Sequence, residues 1–75
     1  MSLYRTEGIV LRNRDCGEAD RIVTIYSRNY GKLSGVARGA RRPRSRFVGS
    51  TQVFTYGDFL IFKGRSLDNI SQAGI

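Results

Sequence analysis

The fold is decided by residues 21–40, which read RIVTIYSRNYGKLSGVARGA. Residues 21–28 are rich in β-branched and aromatic side chains, which predicts a strand. Asn29-Tyr30-Gly31 predicts a short hairpin connection, and residues 32–40 predict the next strand. Two glycines in this latter strand would weaken a flat sheet, but a sharply coiled barrel strand needs glycine where it bends. The segment therefore predicts two antiparallel strands of a small barrel.

The sequence on either side of this segment predicts three further strands. They are expected at residues 4–14, 52–63 and 67–73. Between the third and fourth strands lies an irregular segment, residues 41–50, in which residues 45–48 predict one helical turn with Ser45 as its cap. Five coiled strands with an excursion between the third and fourth are the order of an OB-fold. The sequence therefore predicts an all-β, five-stranded OB-fold barrel, as one domain over residues 1–75.

Composition limits the chemistry that the chain can perform. The sequence has no histidine and one cysteine, Cys16, which excludes an internal disulfide, a zinc site and imidazole acid–base catalysis. No apolar signal core begins the chain and no run is long enough to span a membrane, so we expect a reduced, cytoplasmic setting. An enzyme such as a nuclease would need paired carboxylates around a metal. We therefore expect no enzymatic activity and no cofactor.

The net charge of +7 is concentrated in one segment of the chain. Five arginines fall within nine residues: Arg38, Arg41, Arg42, Arg44 and Arg46. Because guanidinium groups match phosphate oxygens through two parallel hydrogen bonds, the cluster predicts a nucleic-acid ligand. Lys32 and Arg28 extend the basic track along the second and third strands. The alternatives are a solvated loop whose charge only aids solubility and, less favoured, an anionic membrane surface.

The aromatic residues divide between core and surface. Phe54, Phe59 and Phe62 are predicted to be core residues rather than stacking platforms. Tyr26 and Tyr30 lie near the second and third strands, the face on which OB-folds hold single strands. Each tyrosine is therefore either a base-stacking residue or a residue that closes the barrel with its hydroxyl in water.

Three carboxylates stand close together before the second strand, at Asp15, Glu18 and Asp20. A divalent-metal site is one interpretation of this spacing. Turn formation and pairing with Arg14 and Arg21 is the favoured one, because acidic residues around a glycine are typical of turns. We expect no metal there.

Several segments, in this order and spacing, resemble a known family. They are GEADRIVT at 17–24, GKL at 31–33, ARGARRP at 37–43, SRF at 45–47, Phe54, GRSL at 64–67 and QA at 72–73. Together they resemble the amino-terminal domain of the RecO family of bacterial recombination mediators. Cys16, Val53 and Gly74 depart from the family pattern without touching the basic cluster. The resemblance implies an OB-fold that binds DNA, in a protein that anneals complementary strands and helps load recombinase onto coated single strands.

The resemblance covers about the first third of a RecO protein. The family's helical region and cysteine-bearing zinc segment have no counterpart here, so we expect a fragment of a longer protein. For that longer protein, the resemblance implies RecR and the single-strand-binding protein as partners. The alternative function is a small ribosomal or ribosome-associated RNA-binding barrel, which size, charge and glycine content suit equally well. Binding to single-stranded DNA against structured ribosomal RNA would separate the two.

Overall fold

The computed structural model describes residues 2–74, which form a five-stranded closed barrel with one short helix. The elements are β1 (Leu3–Cys16), β2 (Asp20–Ser27), β3 (Gly31–Ala37), α1 (Phe47–Ser50), β4 (Tyr56–Phe62) and β5 (Asp68–Gly74). The strands are ordered β1-β2-β3-β5-β4 around the barrel; the β3–β5 pair is parallel and the other pairs are antiparallel. The predicted OB-fold is confirmed. Within the described residues, no helix is long and apolar enough to cross a membrane.

Aliphatic side chains and two phenylalanines fill the barrel. The buried apolar residues are Val10, Val23, Ile25, Ala37, Ala40, Phe47, Phe59, Ile61 and Ile70. Alternate residues are buried in β2, β3, β4 and the first half of β1, because successive side chains of a strand point to opposite faces. Burying a valine, isoleucine or phenylalanine stabilises the folded state by about 1.5–3 kcal/mol. The alternate residues of the same strands are left on the outer surface, where a ligand can reach them.

The direction of the side chains changes within β1. The register of β1 against β2 shifts between Val10 and Arg12, so Leu11 is an extra residue, as in a β-bulge. Before the bulge, even-numbered residues such as Val10 point inward. Beyond it, Asn13 points inward, and Arg12 and Arg14 point outward to solvent. The bulge therefore places two arginines on the outer surface of the sheet.

The third strand ends at Ala37, three residues earlier than predicted. Gly39 has a φ of 68° and lies in the turn that follows, so it serves the turn and not a bend within the strand. Gly35 lies within the strand, where an added Cβ would be 3.1 Å from Cγ1 of Ile70 on β5. Glycine at this position allows β3 and β5 to approach closely where the barrel closes.

The fourth strand begins at Tyr56, later than the predicted residue 52. The preceding residues form turns, and Phe54 has a positive φ of 69°, an unfavourable conformation for a residue with a Cβ. Two backbone hydrogen bonds hold it: the Phe54 amide donates to the Val10 carbonyl at 2.6 Å, and the Val10 amide donates to the Thr55 carbonyl at 2.9 Å. The Phe54 side chain is 74% exposed, so the prediction that it belongs to the core is wrong.

The other two phenylalanines of this region differ from each other. Phe59 is fully buried, as predicted. Phe62 is exposed at the end of β4, so its assignment to the core is wrong. The reason is the period of the strand: β4 turns Phe59 and Ile61 inward, and Phe62 follows Ile61 directly and must face outward.

Candidate nucleic-acid interface

The arginine-rich segment is a series of tight turns between β3 and α1. The Arg42 amide donates to the Gly39 carbonyl and the Ser45 amide donates to the Arg42 carbonyl, each at 3.0 Å. Helix α1 begins at Phe47, two residues later than the predicted turn, with Arg46 as its N-cap residue. The Ser45 hydroxyl still accepts a hydrogen bond from the Phe47 amide at 3.0 Å. The backbone that carries the arginines is therefore held by its own hydrogen bonds.

Four of the five clustered arginines surround one depression. It has a volume of about 350 Å³ and is lined by Arg38, Arg42, Arg44 and Arg46, with Gly39, Ser45 and Phe47. All four arginines are exposed, and none has a carboxylate within 4.0 Å among residues 2–74. Like charges that lack counterions repel one another, so a polyanion that enters the depression relieves this repulsion.

Arg41 is used differently from the other four. Its Nη1 lies 3.1 Å from Oδ2 of Asp15, and its Nη2 donates to the Gly17 carbonyl at 2.6 Å. Its backbone amide donates to the Ala19 carbonyl at 2.9 Å. The side chain is 27% exposed. Arg41 thus ties the β1–β2 turn to the arginine segment, and the structure does not bring it into the depression.

Two of the three carboxylates around the β1–β2 turn, Asp15 and Asp20, also have structural partners. Asp15 contacts Arg21 at 3.8 Å as well as Arg41, which confirms the predicted pairing with Arg21. Asp20 accepts a hydrogen bond from the Gly39 amide at 2.7 Å. The predicted pairing with Arg14 is not seen in the described part of the chain. Over residues 2–74, no group of three or more His, Cys, Asp or Glu is placed to hold a metal ion.

The basic surface continues from the loop onto the outer face of β1, β2 and β3. Arg12 lies opposite Thr24, and Lys32 lies opposite Tyr26. Leu11, Arg12, Thr24 and Lys32 line an open depression of about 230 Å³. Lys32 and Arg38 are both exposed and six residues apart, which is about 20 Å of extended chain. The track from Lys32 to the arginine loop is thus long enough for several nucleotides.

Two arginines on the outer face of β1, Arg12 and Arg14, were not predicted as binding residues from the sequence. The signal that could have found them is the alternation of β1, but its direction depends on the bulge at Leu11. Arg28, which was predicted as part of the track, lies just beyond the end of β2. Its Nη1 is 3.4 Å from Oε1 of Glu7, so its charge is partly compensated. The direct phosphate contact of Arg28 stays a prediction.

The two candidate stacking tyrosines lie in different surroundings. The Tyr30 ring packs against the Tyr4 ring, with centroids 4.9 Å apart and planes at 60°. The Tyr4 hydroxyl donates to Oδ2 of Asp68 at 2.9 Å, and burial together with this hydrogen bond raises the pKa of Tyr4 to about 12. Tyr30 is 54% exposed, but its ring already has an aromatic partner in Tyr4. Tyr26 is 60% exposed on the outer face, where its ring is open to a ligand.

Comparison with known proteins identifies the family. The whole chain, residues 1–75, matches the family described as "Recombination protein O N terminal". The chain belongs to the RecO family. The resemblance read from the segments around the arginine cluster is therefore confirmed, and so is its location in the amino-terminal part of RecO proteins.

Curated RecO proteins of several bacteria are similar to this chain. The DNA repair protein RecO of Bifidobacterium longum (strain DJO10A) is 56% identical over 73 residues, which cover 97% of this chain and 30% of that protein. The DNA repair protein RecO of Symbiobacterium thermophilum is 51% identical over 75 residues, covering 100% of this chain and 30% of that protein. That of Desulfitobacterium hafniense (strain DSM 10664 / DCB-2) is 46% identical over 72 residues, covering 96% and 26%. The chain thus spans less than a third of these RecO proteins.

Proposed function

We propose that this chain is a non-enzymatic DNA-binding domain that acts in recombinational repair. It binds single- and double-stranded DNA with little sequence preference. The observation that carries the proposal is the set of four exposed arginines around one depression, with no carboxylate beside them among residues 2–74. Membership of a family whose relatives are named DNA repair proteins favours DNA over the ribosomal RNA alternative.

The arginines bind phosphates and not base sequence. Each guanidinium that neutralises a phosphate releases a condensed counterion, and this release supplies most of the affinity. Phosphate contacts carry no sequence information. Reading base edges in the major groove usually takes a helix or a β-ribbon that enters it, and α1 has only four residues. The domain therefore tolerates any sequence.

The longer protein would use this domain for strand annealing and recombinase loading in the bacterial cytoplasm. Two complementary strands repel each other through their phosphates, and a shared basic surface screens that repulsion. The track from Lys32 to Arg46 provides such a surface. RecR and the single-strand-binding protein are partners of the longer protein, and we assign no contact with them to the residues of this chain.

A salt series of DNA binding tests the proposal. If three to five cations contact phosphates, the slope of log K against log salt for single strands is roughly −2 to −3.5, at about −0.7 per contact. Single- and double-stranded DNA of equal length and a structured ribosomal RNA fragment serve as ligands. Random-sequence oligonucleotides are expected to bind with similar affinity. A slope near zero, a strong preference for one sequence, or tighter binding of the RNA fragment would contradict the proposal.

A further inference from the structure

One row of side chains crosses four strands on the outside of the barrel. Ile9 of β1 is the register partner of Tyr26 on β2 and also of Tyr56 on β4. Tyr26 is in turn the partner of Lys32 on β3. The order across the surface is therefore Tyr56, Ile9, Tyr26, Lys32. The two tyrosines are 55% and 60% exposed, and Ile9 between them is half-buried.

The two tyrosines flank a recess of about 250 Å³. Neighbouring strands are about 4.8 Å apart, so the Cα atoms of Tyr26 and Tyr56 are separated by about 9.6 Å. A planar ring that stacks on both sides needs about 7 Å between the flanking rings, since each contact takes about 3.5 Å. The strands that carry the two tyrosines are therefore far enough apart for one planar ring to lie between the two side chains, with Ile9 beneath it.

The base of the recess depends on Gly8. A Cβ on this residue would lie 2.6 Å from Cγ2 of Ile25 and 2.9 Å from the Tyr26 carbonyl oxygen. Glycine therefore allows β1 and β2 to come together below the recess. At its rim, the Tyr56 hydroxyl donates to Oε1 of Glu7 at 2.7 Å, and Nη1 of Arg28 lies 3.4 Å from the same oxygen. These contacts position the Tyr56 ring and compensate the carboxylate.

We propose that Tyr26 and Tyr56 hold one unpaired nucleobase over Ile9, while Lys32 and Arg12 bind the adjoining phosphates. The inference rests on the proposed function and deepens it, because it makes single-stranded nucleic acid the preferred ligand. A paired base is stacked between its neighbours and cannot enter the slot, whereas an unpaired base stacks on aromatic side chains regardless of its identity. The cations at the Lys32 end of the row favour a polyanion over an apolar peptide side chain as the occupant.

Tyrosine fluorescence tests the slot in the unmodified chain, since the sequence has four tyrosines and no tryptophan. The two probes are a random-sequence single strand of about 12 nucleotides, within the usual range for an OB-fold, and an abasic strand of the same length and charge. We expect the base-containing strand to quench the emission and to bind about 5- to 50-fold more tightly than the abasic strand.

Matched variants separate the slot from the phosphate contacts. Tyr26→Leu and Tyr56→Leu remove a stacking ring but retain apolar surface, and Phe62→Leu removes an exposed ring elsewhere on β4. We expect the two tyrosine variants to lose most of the preference for the base-containing strand and to bind the abasic strand unchanged. The Phe62 variant keeps the preference. Thermal unfolding of each variant checks that the barrel is intact.

The possible outcomes distinguish the slot from the proposed function. Equal binding of both strands by the unmodified chain, without quenching, overturns the slot and leaves phosphate binding intact. Equal loss of affinity for both strands in the tyrosine variants also overturns it. Binding of neither strand overturns the proposed function together with the slot.

Discussion

Arg41 and Arg42 are neighbours in the sequence with different roles in the structure. The Arg41 side chain contacts Asp15 and the Gly17 carbonyl, whereas Arg42 extends into solvent beside the depression. The same residue type thus stabilises the fold at one position and is available to a ligand at the next. Their roles differ because the β1–β2 turn lies beside Arg41 and not beside Arg42.

Alanine substitutions at the two positions are expected to affect different properties: Arg41→Ala mainly stability, and Arg42→Ala mainly DNA binding. Arg41→Ala removes two charge-assisted contacts that are partly exposed, so we expect the free energy of unfolding to fall by about 1–2 kcal/mol. Arg42→Ala should change it by less than about 0.5 kcal/mol, and should weaken DNA binding more than Arg41→Ala does. Urea unfolding and DNA titration of both variants measure this. Equal loss of stability in both would contradict the role of Arg41 as a structural tie.

The sequence predicts the arginine cluster but not which of its arginines stabilises the fold and which are available to a ligand. All five arginines share a charge and a segment, so composition treats them alike. Which one pairs with a carboxylate depends on a contact between residues 26 positions apart, Arg41 and Asp15. Phe54 was misassigned for a similar reason: its hydrophobicity suggests burial, and only the turn before β4 directs its ring to solvent.

The barrel closes through a short pairing of β3 with β5. Two register pairs join these strands, Gly35 with Asp68 and Val36 with Asn69. A side chain of β1, which pairs with neither strand, reinforces this closure: the Tyr4 hydroxyl donates to Asp68 at the start of β5, and the Tyr30 ring packs against the Tyr4 ring. The stability of the closure is therefore linked to the protonation of one tyrosine.

We expect the free energy of unfolding to fall as pH rises from about 10 to about 12. Burial and the Asp68 hydrogen bond raise the pKa of Tyr4 from 10.0 to about 12 in the folded state. Below pH 10 the hydroxyl is protonated in both states, and its stabilisation is complete. Between the two pKa values only the unfolded chain loses the proton, so stability declines.

The Tyr4→Phe variant provides the comparison for this decline. We expect it to be less stable near neutral pH, because the hydrogen bond is lost, and to lose up to about 2 kcal/mol less between pH 10 and 12. Chemical unfolding at several pH values measures both effects. Parallel pH profiles for the two proteins would show that Tyr4 is not the titrating group.

Strand positions were predictable to within a few residues, but the outer face of β1 was not. Alternating apolar residues mark β1, β2 and β3 because the barrel buries one face of each. The bulge at Leu11 lies just beyond Ile9, where the register of β1 with β4 ends and β1 continues beside β2 alone, and no local pattern marks it. Arg12 and Arg14 were missed as site residues for this reason. Tyr56 was missed because only the pairing of β1 with β4 places it beside Ile9, and thus in one row with Tyr26.

Charge is distributed unevenly over the molecule, which measures 30 × 25 × 17 Å. Four carboxylates are engaged in contacts within the barrel or its turns: Glu7, Asp15, Asp20 and Asp68. The exposed cations of the arginine loop and of the β1–β2–β3 face are left without such partners. Other exposed cations lie elsewhere, with Arg5 on β1 beside β4 and Arg65 between β4 and β5. The effect of the position of the cations on DNA binding can therefore be separated by experiment from the effect of the total charge.

Two double variants that remove the same charge make this separation. Arg42→Ala with Arg44→Ala removes two of the four arginines that line the depression. Arg5→Ala with Arg65→Ala removes two positive charges outside it. If two phosphate contacts are lost, the salt slope for single-stranded DNA becomes less steep by about 1.4 in the first variant. The second variant should keep the slope and lose only a little affinity, because salt screens charges that lie more than about 8–10 Å from the bound strand. Equal changes of slope in both would mean that net charge, and not the arginine depression, determines DNA binding.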